Sequence, residues 1–412
     1  MQALLIRGGR PLAGEIEISG SKNAVLPMLA ASVLFRRGCV IRSCPELTDV
    51  DAAVEILRFL GAQVRRCGSM VCVDPGGVCR WEIPPALMNR MRGSVFFAGA
   101  LMARLGRCRI SQPGGCSLGS RPVDFHAAGL RALGAEECPG DPGAFCGGLT
   151  GGRYVLPYPS VGATENLLMA ALGAQGPTQI RNAAREPEIC CLCDFLRLGG
   201  CSIRGDGSRV LDILPGLPDR AEMAPIPDRM EAATFCCATA CAGGQIRLAR
   251  ADPAHLVPVL DALERAGCGI VRSPDSIELA CAALRSPGEI VTGPYPEFPT
   301  DAQAPFLAAM TRAEGITTVK ETVFSDRMNH ISGLQALGAC IECRENTARI
   351  RGVEQLRGTR VQAQDLRGGA ALAAAALAAE GETKIDGLHH LMRGYENFAE
   401  KLRLLGAEAS LA

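Results

Sequence analysis

The chain lacks net charge: 43 lysines and arginines are matched by 43 aspartates and glutamates. That balance removes the broad basic surface a nucleic-acid binder needs, while leaving room for local anion sites. It also lacks a long apolar run. The stretches "SVFFAGALMA" and "AALAAAALAA" stop well short of the about 20 residues that cross a bilayer. The start, "MQALLIRGGR", reaches polar and glycine residues too early for a signal peptide. Cysteine is frequent, at 20 of 412 residues, yet falls short of the roughly 8–10% of a disulfide scaffold. A cytoplasmic protein with reduced thiols is therefore expected, with no nucleic-acid partner and no membrane insertion. Histidine is scarce, and none of the five is placed as a catalyst.

What is present is a large apolar share, 48%, beside 21% charged residues. That supports buried cores, and the length favours two domains. The clusters Cys190-Cys191-Leu192-Cys193 and Cys236-Cys237 lie in apolar, helix-like runs. Cys190 and Cys193 have the spacing of half a zinc site, but no second matched pair follows. They read as small hydrophobes filling space, so no metal site is expected.

An internal period organises the rest. A leucine or alanine, a glycine and a small residue recur at Gly61, Gly134, Gly199, Gly267, Gly338 and Gly406, at intervals of 65 to 73 residues. Each follows an amphipathic helical pattern, such as "DVDAAVEILRFLGA". The glycine suits a left-handed helix cap with a strand beyond it. A second series of helices is apolar on nearly every face, hence buried. These begin near Lys22, Arg92, Ala163, Arg229, Asp301 and Arg367, at intervals of 66 to 72 residues. The expectation is an α/β fold of two inside-out domains, each of three repeated units around buried helices. Residues 1–20 with 230–412 would form one domain and residues 21–229 the other, with the active site in the cleft between them.

Lys22, Arg92, Arg229 and Arg367 stand at or beside helix starts, where the macrodipole disfavours cations. Backbone N–H groups already favour an anion there, so added cations make sense around a multiply anionic ligand. Pairing with nearby carboxylates is the plainer reading of any one of them. Cys116 is different from the other cysteines. It lies in "SQPGGCSLGSRPVDFH", a glycine-rich loop beside Arg121, where it cannot serve as core filling.

The segments "ISGSKNAVLPMLAASVL", "PGGCSLGSRPVDFHAAGLRALGAE", "PSVGATENLLMAA", "NAAREPEI", "FPTDAQAPF", "ETVFSDRMNHI", "DLRGGAALAAAALAAEG" and "MRGYENFAEKLRLLGA" carry a resemblance over essentially the whole chain. In this order they resemble the UDP-N-acetylglucosamine 1-carboxyvinyltransferase family, which shares the EPSP synthase-like fold. The resemblance implies transfer of the enolpyruvyl group of phosphoenolpyruvate to the 3′-hydroxyl of UDP-N-acetylglucosamine, with release of phosphate. It implies no metal or organic cofactor. Cys116 would be the general acid on the methylene carbon, and Asp301 the base for the sugar hydroxyl. From the residues alone, Asp301 could equally be a first-turn acid stabilising its helix.

By the same resemblance Lys22, Asn23, Arg121, Arg327 and Arg393 bind phosphoenolpyruvate, with Lys22 and Arg393 also serving catalysis. The sugar nucleotide falls to Asn23, Arg92, Arg121, Pro122, Val123, Asp124, Phe125, Ser160, Val161, Gly162, Asp301 and Val323. Asp365 and Arg367 would play support roles. The chain departs from the family pattern at Met392, where an acid usually precedes the arginine, at Gly93, and in the glycine-rich "DLRGG". A silent UDP-sugar-binding paralogue, or transfer to shikimate 3-phosphate, stays open at this point.

Overall fold

Small side chains dominate the inner helices, and the computed structural model shows why. It describes residues 3–111 and 123–412. Cys116, Arg121 and Pro122 lie outside the described residues. Contacts divide the chain into two compact units, one taking the residues up to Ser19 and Pro227–Ala412, the other running from Gly20 to Ile226. Gly20 thus goes with the second unit rather than the first, and residues 227–229 with the first rather than the second. The reason is local: Asp228 Oδ1 accepts from Met230 N and Glu231 N at 2.8 and 2.9 Å. It thereby caps the helix Arg229–Ala242, and its own N–H donates to the Ser19 carbonyl at 2.8 Å.

In the first unit the inner helices Arg229–Ala242, Thr300–Met310 and Leu366–Ala378 pack against one another. Almost every residue of all three is buried. Alanine on all sides lets three helices share one axis, because any larger side chain would overpack it. In the second unit the 3₁₀ turn Arg92–Phe96 leads into the inner helix Phe97–Leu105, which packs against Lys22–Ala31 and Val161–Ala171. One contact there requires glycine. A Cβ on Gly99 would sit 2.0 Å from the Asn166 carbonyl oxygen, so the two helix backbones can meet only without it.

Sheets surround the inner helices. Five four-stranded sheets share one pattern, in which an edge strand runs parallel to its neighbour and the other pairs are antiparallel. One example orders Ala221–Met223, Cys39–Ile41, Met70–Asp74 and Gln63–Cys67. A sixth, three-stranded sheet keeps the antiparallel part, with Ala144–Cys146 between Arg107–Arg109 and Glu136–Glu137. Each unit holds three of these six sheets and three inner helices. The sheet fold and the inner–outer helix alternation are those the period implied.

The outer helices end at the signature glycines with one exception. Gly61 closes Thr48–Leu60 at φ 111°, whereas Gly199 stays right-handed at φ −77° after Pro187–Leu198. The left-handed position passes to Gly200, at φ 96°. With two adjacent glycines the chain can delay its reversal by one residue at no steric cost. Cys191, Cys193, Cys236 and Cys237 are buried on their helices, as space-filling thiols should be, whereas Cys190 at the edge of the same run is only half-buried. No helix among the described residues is long and apolar enough to cross a membrane.

Candidate active site

In the first unit a single carboxylate brings two of the predicted arginines together. Asp301 lies in the first turn of Thr300–Met310 but does not cap it. Its Oδ1 accepts from Arg327 Nη2 at 2.5 Å and its Oδ2 from Arg367 Nη2 at 3.0 Å. Both arginine side chains are 4% exposed, while that of Asp301 is 29% exposed and so reaches solvent. Burial opposes ionisation of Asp301, yet the two guanidiniums beside it hold its carboxyl well below the usual carboxylate range. It is an anion at neutral pH. Asp301 is thus a first-turn acid of its helix, as expected, and at the same time the carboxylate that two arginines share.

The support around this group is continuous. Arg327 Nη1 also donates to Thr300 Oγ1 at 3.1 Å, and that hydroxyl donates to Glu321 Oε2 at 2.8 Å. Glu321 Oε1 accepts from Val323 N and Phe324 N at 2.8 and 3.2 Å, which fixes the backbone at Val323. Asp365 caps Leu366–Ala378 by accepting from Arg367 N and Gly368 N, both at 2.9 Å. The short helix Leu388–Leu391 lies on the start of that inner helix: a Cβ on Gly369 would be 3.2 Å from Leu391 Cγ. Arg393 follows it, half-buried; burial first, then the charges of His389 and Arg393, lower the pKa of His390, which Asp365 opposes. Met392 is 44% exposed, so no buried acid is missing at that position.

In the second unit Lys22 opens the helix Lys22–Ala31, capped by Ser21, with Asn23 next to it. Its Nζ lies 3.1 Å from Asp49 Oδ2, and both side chains are largely buried. An ammonium at a helix N-terminus is tolerated here because a carboxylate of the outer helix Thr48–Leu60 faces it.

Three predicted nucleotide segments meet around His126. It sits two residues past Asp124, in the outer helix Asp124–Ala132 whose approach carries Val123 and whose first turn carries Phe125. A Cβ on Gly162 would lie 3.6 Å from His126 Cε1, which puts the imidazole over the start of the Ser160-capped helix Val161–Ala171. Asn166 Oδ1 accepts from Gly99 N, so its amide nitrogen must face His126 Nδ1, 2.8 Å away. His126 is thereby a neutral ring carrying its proton on Nε2. Burial first, and then the charge of Arg92, lowers its pKa to about 4.

That shift has a consequence for stability. A depressed folded pKa means that His126 contributes fully above its unfolded value near 6.5 and loses that contribution as pH falls towards 4. Between pH 7 and 5 the wild type should lose about 2 kcal/mol that a His126→Gln variant does not lose. Urea unfolding at both pH values checks this; a constant gap between the two proteins would contradict it.

Sequence reasoning missed Asp49, Thr300, Glu321, Asn166 and Tyr395. All five stand inside quoted segments, Asp49 in "DVDAAVEILRFLGA", Thr300 in "FPTDAQAPF", Glu321 in "ETVFSDRMNHI", Asn166 in "PSVGATENLLMAA" and Tyr395 in "MRGYENFAEKLRLLGA". A polar side chain in an otherwise apolar helix was the available signal for Asn166.

Over residues 6–402 the chain matches the EPSP synthase (3-phosphoshikimate 1-carboxyvinyltransferase) family. The chain belongs to this family. Among its relatives is the UDP-N-acetylglucosamine 1-carboxyvinyltransferase of Desulfosudis oleivorans, 43% identical over 99% of this chain and 98% of that protein. The Nostoc sp. protein of the same name is 42% identical over 98% of this chain and 92% of its own length. Among solved structures, the enolpyruvyl transferase NikO from Streptomyces tendae superposes with TM-score 0.89 at 26% identity, covering 100% of this chain and 99% of that one. An EPSP synthase from Acinetobacter baumannii gives TM-score 0.75 at 19% identity over 100% of both chains, which bears on the family fold alone.

Proposed function

We propose that this protein transfers the enolpyruvyl group of phosphoenolpyruvate to the 3′-hydroxyl of UDP-N-acetylglucosamine and releases phosphate, the first committed step of peptidoglycan precursor synthesis. The observation that carries the reading is the ionised Asp301, partly open to solvent and held by two buried arginines. A base must be deprotonated and fixed before its substrate arrives. Asp301 takes the proton of the hydroxyl as its oxygen bonds to the central carbon of phosphoenolpyruvate. Cys116 delivers a proton to the methylene carbon. Loss of phosphate and of a methyl proton then restores the double bond, now in an enol ether.

Lys22, Asn23, Arg121 and Arg393 bind phosphoenolpyruvate, whose phosphate and carboxylate suit guanidinium forks. Arg327 is proposed to bind phosphoenolpyruvate with them, and its Nη atoms also hold Asp301 and Thr300. Arg92, the run Arg121-Pro122-Val123-Asp124-Phe125, Ser160-Val161-Gly162, Asn23, Asp301 and Val323 serve the sugar nucleotide. No metal or organic cofactor enters this scheme, and soluble substrates of this kind fit a cytoplasmic enzyme.

The test is phosphate release from phosphoenolpyruvate with UDP-N-acetylglucosamine or shikimate 3-phosphate as acceptor. Release with the UDP-sugar alone is expected. Release with shikimate 3-phosphate alone, or UDP-sugar binding without turnover, would overturn the proposal.

A further inference from the structure

One of the two arginines that hold Asp301 is itself aimed by a buried group. Arg367 leaves the first turn of Leu366–Ala378 with its backbone N–H fixed on Asp365. Its guanidinium has two committed arms: Nη2 to Asp301 Oδ2 at 3.0 Å, and Nη1 to Tyr395 Oη at 3.0 Å. Tyr395 Oη in turn lies 2.8 Å from Thr234 Oγ1 on the helix Arg229–Ala242.

The direction of every proton in this chain follows from its two ends. Thr234 Oγ1 donates its single proton to the Met230 carbonyl at 2.8 Å. It must therefore accept from Tyr395. Arg367 has no acceptor atom, so Tyr395 must accept from it. The phenol is thus locked as acceptor towards the arginine and donor towards the threonine. Turning it would leave a buried charged donor without its partner, at a cost that exceeds an ordinary hydrogen bond.

Packing removes the remaining freedom. Tyr395 is 3% exposed, Arg367 3% and Thr234 1%. The Tyr395 ring lies 5.1 Å from that of Phe398, and Phe398 lies 5.6 Å from Phe235. The Arg367 guanidinium carbon stands 5.4 Å from the Tyr395 ring centroid, so face and hydroxyl both hold it.

We infer that Tyr395, backed by Thr234, is a positioning residue for the reaction: it aims Arg367 at Asp301 and so sets the orientation and basicity of the proposed base. This rests on the reading of Asp301 as that base. The charged groups facing Asp301 are Arg327 and Arg367, and Arg367 also feels Asp228, the cap of the neighbouring inner helix. Tyr395 is the neutral group that holds the other arm of the Arg367 guanidinium.

The test uses the full chain and the variants Tyr395→Phe, Thr234→Val and Thr234→Ser, with thermal unfolding as the control for folding. Tyr395→Phe keeps the ring and removes the acceptor. It should lower kcat about ten- to hundredfold while the KM values for both substrates stay within about threefold. A less firmly held arginine stabilises the carboxylate less, so the acid limb of the kcat/KM profile should move to higher pH. Thr234→Val should act in the same direction but less, and Thr234→Ser should restore both readouts.

Folded Tyr395→Phe and Thr234→Val proteins with wild-type kcat and an unmoved acid limb would overturn the inference. If Tyr395→Phe does not fold, the Thr234 pair decides by the same two readouts. Asp301→Asn separates the two levels of the argument. Wild-type turnover in that variant would remove the base itself. Loss of turnover there, beside unchanged Tyr395 and Thr234 variants, would remove only the positioning role.

Discussion

Asp301→Asn should lower kcat about a thousandfold, in the middle of the range that general-base removal produces. The substitution keeps the shape and one oxygen for Arg327 or Arg367, but it cannot take a proton from a hydroxyl. The KM for the sugar nucleotide should change far less, because the amide still fills the site. Steady-state phosphate release in the folded variant measures both quantities, and a kcat within tenfold of wild type would remove Asp301 from the chemistry.

The same residue has a structural role that Asp301→Ala exposes. Two arginine side chains, each 4% exposed, would then be buried without their counter-charge. Breaking such a pair from one side leaves an uncompensated charge, so Asp301→Ala should cost about 3 kcal/mol of stability. The sign with pH is fixed by the low pKa of Asp301 in the folded state. Its contribution is present above the unfolded carboxylate value near 4 and is lost as pH falls below it. Denaturant unfolding at neutral pH and in acid should therefore show the wild-type advantage shrinking in acid.

Cys116→Ala should also lose about a thousandfold in kcat, since the methylene carbon would have no proton donor. The variant should become insensitive to a thiol-directed epoxide phosphonate such as fosfomycin. The other cysteines make this a demanding test, and the structure sorts many of them. Burial pushes the thiols of Cys191 and Cys236 up to about 12, so almost no thiolate exists there at neutral pH. Cys67, Cys79, Cys340 and Cys343 are exposed and open to a general alkylating reagent, but they lie outside the loop motif. Peptide mapping after inactivation should find the adduct on Cys116. An adduct on any of those four that still abolishes activity would refute the assignment.

Much of the fold was legible because its signals are local. Glycine after an amphipathic run marks a helix end, whatever the rest of the molecule does, and a helix apolar on all faces must be buried. A period near 70 residues then implied repeated units, and three inner helices with three sheets in each unit followed. The local error at Gly199 came from two adjacent glycines between which propensity cannot choose. Candidate residues were legible through motifs, which name side chains without saying what each one touches.

Partnership was decided by the tertiary structure. Asp301 read equally well as a first-turn acid, until packing brought Arg327 and Arg367 to it from 26 and 66 residues away. Tyr395 stood in a quoted motif with no role, because its partners Arg367 and Thr234 are 28 and 161 residues distant. His126 received its tautomer from Asn166, 40 residues on. The sequence by itself determined which elements form and which groups could do chemistry, since both follow from short-range periodicity and residue type. Only the tertiary structure decided which carboxylate faces which cation. Coulomb interaction and hydrogen bonding act over a few ångströms, and chain separation says nothing about distances of that size.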